Sequence, residues 1–220
     1  MDSVSGVGVL DKAIGVLRVL RADGPLGLAE LQHSTGLPRA TAHRLAVALE
    51  EHGLVRRDSA GRFCLGFELI AMGRAAAESY PLGELARPAL LRLRDATGES
   101  VQLFVREDDE RRCVVSLQSP HGLRWIVPEG VRLPLAVGSA GRVLRGEGGA
   151  GHGWAASVEE REPGVASVSA GVVSTRGAVI AAVSVSGPIE RLSRDPGERF
   201  GAAVTGCAAE LAAALAEAAI

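Results

Sequence analysis

From Gly8 to Ala22, apolar side chains recur at three- and four-residue steps, Leu10, Ile14, Leu17 and Leu20, with Val9, Ala13 and Val16 widening the stripe. That spacing predicts one amphipathic helix. Asp23-Gly24-Pro25 stops it, because Gly accepts left-handed dihedrals and Pro cannot continue a helix. A second short helix fits Leu28 to Ser34 and is broken by Thr35-Gly36-Leu37-Pro38. A third begins at Pro38, whose missing N–H costs little in a first turn. Its apolar face is Ala42, Leu45, Ala46 and Leu49, and it ends near His52-Gly53. Leu54 to Arg57 and Arg62 to Leu65 then flank the turn-forming Asp58-Ser59-Ala60-Gly61, the pattern of a β-hairpin. Three short helices closed by a hairpin describe a winged helix-turn-helix.

Phe67 to Ser79 continues as a helix with Phe67, Ile70, Met72 and several alanines on its apolar side, and is expected to act as a stiff linker ended by Tyr80-Pro81. Leu82 to Thr97 reads as a long amphipathic helix with Leu85, Ala89, Leu90 and Leu93 inward; Pro88 inside it implies a kink or a late start. The period then changes to two. Ser100 to Arg106 and Arg112 to Leu117 alternate as strands around a solvated acidic tip, Glu107 to Glu110. Trp125-Ile126-Val127 and Arg132 to Val137 suggest two more strands, and Gly138 to Arg145 a short helix. Gly146 to Gly153 is a glycine-rich loop. Val165 to Val173 and Ala178 to Ser186 frame the hairpin turn Ser174 to Gly177, and Gly197 to Ile220 closes the chain as an alanine-rich helix. The fold class is therefore α+β: an N-terminal winged helix-turn-helix over residues 6–66, a linker helix over 67–80, and a C-terminal domain over 81–220 built on an antiparallel sheet.

Composition narrows the functional classes. The 220 residues carry 24 basic and 26 acidic groups, so bulk attraction to nucleic acid is excluded and any DNA contact must be local. Residues 1–79 hold nine of each sign, but 36–66 hold five arginines against Glu50, Glu51 and Asp58. Charged or polar residues interrupt the apolar runs before they reach a bilayer-spanning length, and no leader pattern opens the chain; the expectation is a cytoplasmic protein without membrane contact. Cys64, Cys113 and Cys207 have no zinc or redox spacing and read as buried thiols. His33, His43 and His52 lack metal-ligand spacing, and His121 and His152 fall in exposed glycine-rich loops; no metal or cofactor is expected.

The third helix opens P-R-A-T-A-H-R-L. Facing away from its apolar stripe are Arg39, Ala40, Thr41, His43, Arg44 and Val47, a basic surface with no acid before Glu50. Arg donates in a fork to guanine and Thr touches phosphate or a thymine methyl, so this face suits the major groove. Arg56, Arg57 and Arg62 lie on the wing and suit phosphate or the minor groove. The alternative is an ordinary solvated face on a winged helix used for protein contact.

The segments G-V-L-D-K-A-I-G-V-L-R-V-L, G-P-L-G-L-A-E-L and G-L-P-R-A-T-A-H-R-L-A-V-A-L-E-E-H-G-L-V resemble the N-terminal domain of the isocitrate-lyase-regulator (IclR) type of bacterial transcription factor. L-P-L-A-V-G-S-A-G-R-V-L, G-W-A-A-S-V-E-E-R-E-P-G-V-A-S-V-S-A and A-A-V-S-V-S-G-P-I-E-R-L resemble its C-terminal domain. Within the family the chain is similar to the actinobacterial regulators of amino-acid biosynthesis. The resemblance implies a GAF-like effector-binding and oligomerisation domain, homodimers or homotetramers, and a two-fold symmetric double-stranded DNA operator. It also implies a small-molecule effector: an amino acid, a 2-oxo acid or another small carboxylate.

The family's effector site maps onto Ser139 and Ala140 in a small-residue turn whose amides hold the ligand, onto Ser157, Ser167, Ser184 and Ser186 on the sheet, and onto Val165 as an apolar wall. Alternation independently puts Ser184 and Ser186 on one strand face, although a serine in a strand can equally bond a neighbouring backbone group. Two departures stand out. Ser157 and Ser167 occupy positions where relatives carry a carboxylate or a thiol, and Gly146 to Gly153 replaces a longer, largely helical stretch that covers the site. Glu159, Glu160 and Glu162 with Arg161 read as a charged loop that pairs internally.

Three functions follow for test: an effector-responsive transcription regulator, a DNA-binding regulator whose sensor domain has become an oligomerisation scaffold, and an enzyme or metabolite-binding protein. The last is disfavoured, because no nucleophile, base and orienting group fall together.

Overall fold

The structure, a computed structural model, describes residues 7–79, 81–148 and 152–218. It divides into two compact units, Met1–Ser79 and Tyr80–Ile220. In the first, α1 (Gly8–Asp23), α2 (Leu28–Thr35) and α3 (Arg39–Glu51) close on a core of Val16, Leu20, Leu31, Ala42, Ala46 and Leu49. Pro38 caps α3 from outside instead of opening its first turn. The wing pairs β1 (Val55–Arg57) antiparallel with β2 (Phe63–Leu65), and a bridge from Leu26 to Phe63 ties it to the segment before α2. Phe63 is fully buried, so the hairpin is anchored by one aromatic under its second strand. The expected linker is α4 (Glu68–Ser79), which belongs to this first unit.

The second unit is a six-stranded antiparallel sheet in the order β5-β4-β3-β8-β7-β6, formed by β3 (Ser100–Glu107), β4 (Glu110–Leu117), β5 (Arg132–Pro134), β6 (Trp154–Val158), β7 (Val165–Val173) and β8 (Val179–Pro188). One face packs under α5 (Leu82–Thr97) and α8 (Pro196–Glu217), joining Leu90, Val101, Leu103, Val168, Val183 and Leu211 in the main core. The other face carries a smaller cluster, Phe104, Cys113, Ala155 and Ala182, beneath α6 (Ser139–Leu144). A four-residue helix α7 (Ile189–Leu192) leads into α8.

Several expectations change. Trp125-Ile126-Val127 is not a strand, and of Arg132 to Val137 only the first three residues pair, because the chain turns inward at Leu135 to deliver α6. Trp154–Val158, for which no element is expected from sequence, is an edge strand against β7. In α5, Leu85 points outward while Leu82 and Ala86 are buried, and the helix runs through Pro88 from its start at Leu82. The acidic tip shrinks to a two-residue turn at Asp108-Asp109: Glu107 and Glu110 are the paired ends of β3 and β4, and Glu107 holds Arg112 at 2.5 Å and Arg132 at 3.2 Å. Part of the Gly146 to Gly153 loop, with Tyr80 and the last two residues, lies outside the described residues. By length and composition α8 is apolar enough to cross a bilayer, but nine of its residues are buried inside the unit, several of them in the main core.

Candidate functional site

Two surfaces carry the residues singled out above. On α3, Arg39, Ala40, His43 and Arg44 are exposed, and Thr41 and Val47 half-buried, on the side opposite Ala42, Ala46 and Leu49. Arg39 and Arg44 have no ion pair among the described residues. The wing differs. Arg57 reaches Glu50 at 3.2 Å and lies 4.2 Å over the Phe63 ring, Arg62 pairs with Asp58 at 2.8 Å, and Arg56 lies 4.9 Å over Phe67. Asp58 organises the turn by accepting from the backbone N–H groups of Ala60 and Arg62. The Arg62 N–H in particular holds its carboxyl below the usual value of 3.8. Two of the three wing arginines are thus committed to acids that sit beside them, and the positive charge free of acids is Arg39 and Arg44 at the front of α3 with Arg56 on the wing.

The second surface is a cavity on the α6 face of the sheet. Ser139, Ala140, Ser157, Val165, Ser167, Ser184 and Ser186 all line it. Strand register brings them together: Ser157 stands opposite Ser167, Ser167 opposite Ser186, and Ser184 opposite Gln102, so one polar patch crosses β6, β7, β8 and β3. The hydroxyls bond mainly to one another. Ser139 Oγ lies 2.7 Å from Ser167 Oγ and 2.8 Å from Ser169 Oγ, Ser157 Oγ lies 2.9 Å from Ser167 Oγ, and Ser186 donates to Gln102 Oε1 at 2.8 Å. Two amides of the turn are taken as well: Ser139 N–H donates to Ser157 Oγ at 3.2 Å and Gly138 N–H to Glu160 Oε2 at 2.9 Å.

The charged lining was not foreseen. Glu160 pairs across the site with Arg142 of α6 and Glu159 with Arg194, so the loop does not pair internally; it folds against the cavity. Arg161 lies 5.0 Å over the Trp125 ring, and burial pushes its guanidinium down, partly offset by Glu162. Arg111, only 3% exposed, donates to the carbonyls of Pro134 and Val137 and stacks 5.4 Å over Phe104. Burial, with Arg161 and Arg145 nearby, pushes it down to about 10. A charged group taken from water without a counter-ion pays for that transfer, and an anion beside it would restore the balance. Cys113, beneath the cavity, is driven up to about 12 chiefly by burial and is an inert thiol at neutral pH. Alternation in S-V-Q-L-F-V-R, which puts Gln102 and Phe104 on one face, was the available sequence signal for Gln102. Arg111 carried none, since its strand begins two residues earlier than the alternation suggests.

Comparison with known proteins agrees with this geometry. Residues 9–59 match the IclR helix-turn-helix domain, and residues 74–146 and 150–213 match the bacterial transcriptional regulator IclR C-terminal domain, the match being interrupted within the glycine-rich stretch. The chain is 29% identical to the glycerol operon regulatory protein of Streptomyces griseus over 91% of this chain and 93% of that one. It is also 29% identical to the HTH-type transcriptional regulator KipR of Bacillus subtilis, over 60% of this chain and 53% of KipR, so this match spans about half of that relative's length. A solved IclR homolog from Microbacterium hydrocarbonoxydans, complexed with 4-hydroxybenzoate, shares the fold at a TM-score of 0.79 and 20% identity, covering 95% of this chain and 99% of that one.

Proposed function

The chain belongs to the IclR family of bacterial DNA-binding transcriptional regulators, and we propose that it reads a two-fold symmetric operator as a homodimer or homotetramer while its cavity takes a small polar effector. The observation that carries this reading is the unpaired basic front of α3, where Arg39, His43 and Arg44 stand free on a helix positioned by a wing. Val9, Leu10 and Ile14 on α1 and Phe67, Ile70 and Met72 at α4 are apolar and exposed, which supports a self-association surface in this unit. The M. hydrocarbonoxydans homolog holds an aromatic carboxylate, and a serine-lined cavity with the buried Arg111 guanidinium supports a small carboxylate here, an amino acid, a 2-oxo acid or a related acid. Such a ligand acts by binding one DNA-reading arrangement more tightly than another. The site of action is the cytoplasm, where the chromosome lies.

A gel shift of the full chain on the promoter DNA beside its own gene tests the reading. A retarded band that survives random-sequence competitor and weakens with salt is expected; equal affinity for random DNA overturns it. Arg44→Ala is expected to relax sequence discrimination, and Arg56→Ala to weaken all sequences alike. A second reading, a sensor reduced to an oligomerisation scaffold, is favoured by the internally satisfied Gly138 and Ser139 amides and the short Gly146 to Gly153 stretch. Reproducible thermal stabilisation by one compound class excludes it.

A further inference from the structure

We propose that Arg111 and Gln102 are the ligand-reading residues of the cavity, and that they select an organic acid without an ammonium group, its carboxylate accepting from Arg111 and a second oxygen from Gln102, over the amino acid of the same skeleton. The proposal rests on the reading of this cavity as the effector site and specifies its chemistry.

The Gly138 and Ser139 amides and the hydroxyls of Ser139, Ser157, Ser167 and Ser186 already have partners within the chain. Among the described residues, two buried side-chain polar atoms have none: Gln102 Nε2 and Arg111 Nε. Both belong to cavity-lining residues, exposed by only 1% and 3%. Buried polar atoms are nearly always paired, because an unmade hydrogen bond forfeits the solvation it replaced. Arg111 Nε can only donate, and so can Gln102 Nε2 while Ser186 donates to Oε1, so what completes them must accept.

Charge points the same way. Arg111 has no acid partner, and of its donors only Nη1 is engaged, by the carbonyls of Pro134 and Val137. Of the acids around the cavity, Glu160 is engaged by Arg142 and by the Gly138 N–H, and Glu162 is exposed at the rim. No buried carboxylate therefore stands free to receive an ammonium group, whereas a carboxylate meets a desolvated guanidinium, the stronger class of hydrogen bond. Phe104 lies under Arg111 on the strand that also bears Gln102, and Trp125 and Val165 complete an apolar wall for the ligand's carbon frame.

The test uses the full chain and two matched pairs, malate against aspartate and 3-phenyllactate against phenylalanine, with succinamide as the uncharged control. Binding is followed by calorimetry and by melting temperature. At least one hydroxy acid is expected to bind saturably, ten-fold or more tighter than its amino counterpart, with no binding of succinamide. Gln102→Leu and Arg111→Lys are each expected to weaken that acid ten-fold or more with an unchanged circular dichroism spectrum. If Arg111→Lys fails to fold, Gln102→Leu decides alone. Amino acids binding as well as the hydroxy acids, or Gln102→Leu binding the acid like the parent, overturns the proposal. So does a panel in which no acid binds while the same preparation retards operator DNA; that result leaves the regulator reading standing, whereas loss of specific DNA retention strikes the reading itself.

Discussion

Trp154 explains two glycines that otherwise look misplaced in the first turns of a long helix. A Cβ at Gly197 would lie 2.0 Å from the indole ring and one at Gly201 2.5 Å from its Nε1, so α8 can cross β6 only where it presents bare backbone. Gly197→Ala is expected to cost about 1–3 kcal/mol through overpacking, seen as a lower melting temperature, while Gly206→Ala, with open space around it, is expected to be neutral or slightly stabilising. The same scale contains an ion pair with a buried carboxylate and a half-buried guanidinium. Glu99, only 2% exposed, accepts from Arg191 Nε at 2.5 Å and Nη2 at 2.9 Å, and this fork joins the start of β3 to α7. Arg191→Met strands a carboxylate in a desolvated place and is expected to destabilise by about 3 kcal/mol in urea unfolding. The double change Glu99→Gln with Arg191→Met is expected to recover a large part of that loss, because the uncompensated charge is gone.

Among elements, the helices of the first unit were legible because their signals agree: a 3.6-residue apolar stripe and a glycine or proline at each end. The two long strands β7 and β8 were legible through β-branched runs broken at Ser174 to Gly177. Trp154–Val158 was not, since A-A-S-V between a glycine-rich stretch and a charged turn has no strand signature; it forms because β7 offers it a ladder. The serines of the cavity were placed by resemblance and by alternation, but their neighbours Arg111 and Glu160 are brought in by register and loop closure, which sequence spacing does not encode. The wing shows what one element owes to one carboxylate. Asp58 is ionised more readily folded than unfolded, so its contribution is complete at neutral pH. It begins to fall as the pH approaches the unfolded value of 3.8 and is lost through the lower folded value. Hydrogen exchange of the Ala60 and Arg62 amides is expected to accelerate over that window. Asp58→Asn, which keeps an acceptor oxygen but no charge, is expected to make those amides exchange faster at neutral pH and to release Arg62.

At the scale of the whole molecule the charge balance makes a quantitative demand on DNA binding. The net charge is −2, and the 36–66 segment holds the local excess in five arginines. Glu50 and Asp58 hold Arg57 and Arg62, which leaves Arg39, Arg44 and Arg56 uncommitted to acids in each copy. If a proposed dimer uses only those, at most about six counter-ions are released, and the logarithm of the association constant falls against the logarithm of salt concentration with a slope no steeper than about −5. Recruitment of Arg57 and Arg62 as well requires both ion pairs to open on the phosphates and steepens the slope to about −9. Fluorescence anisotropy of an operator duplex across a salt series separates the two cases. The ion pairs are exposed and therefore weak, so their opening is cheap, but each opened pair leaves Glu50 or Asp58 facing the DNA backbone. That repulsion favours the shallower slope. Glu50→Gln is expected to steepen it by about 2 in a dimer, one added phosphate contact per copy, without altering which sequence is preferred.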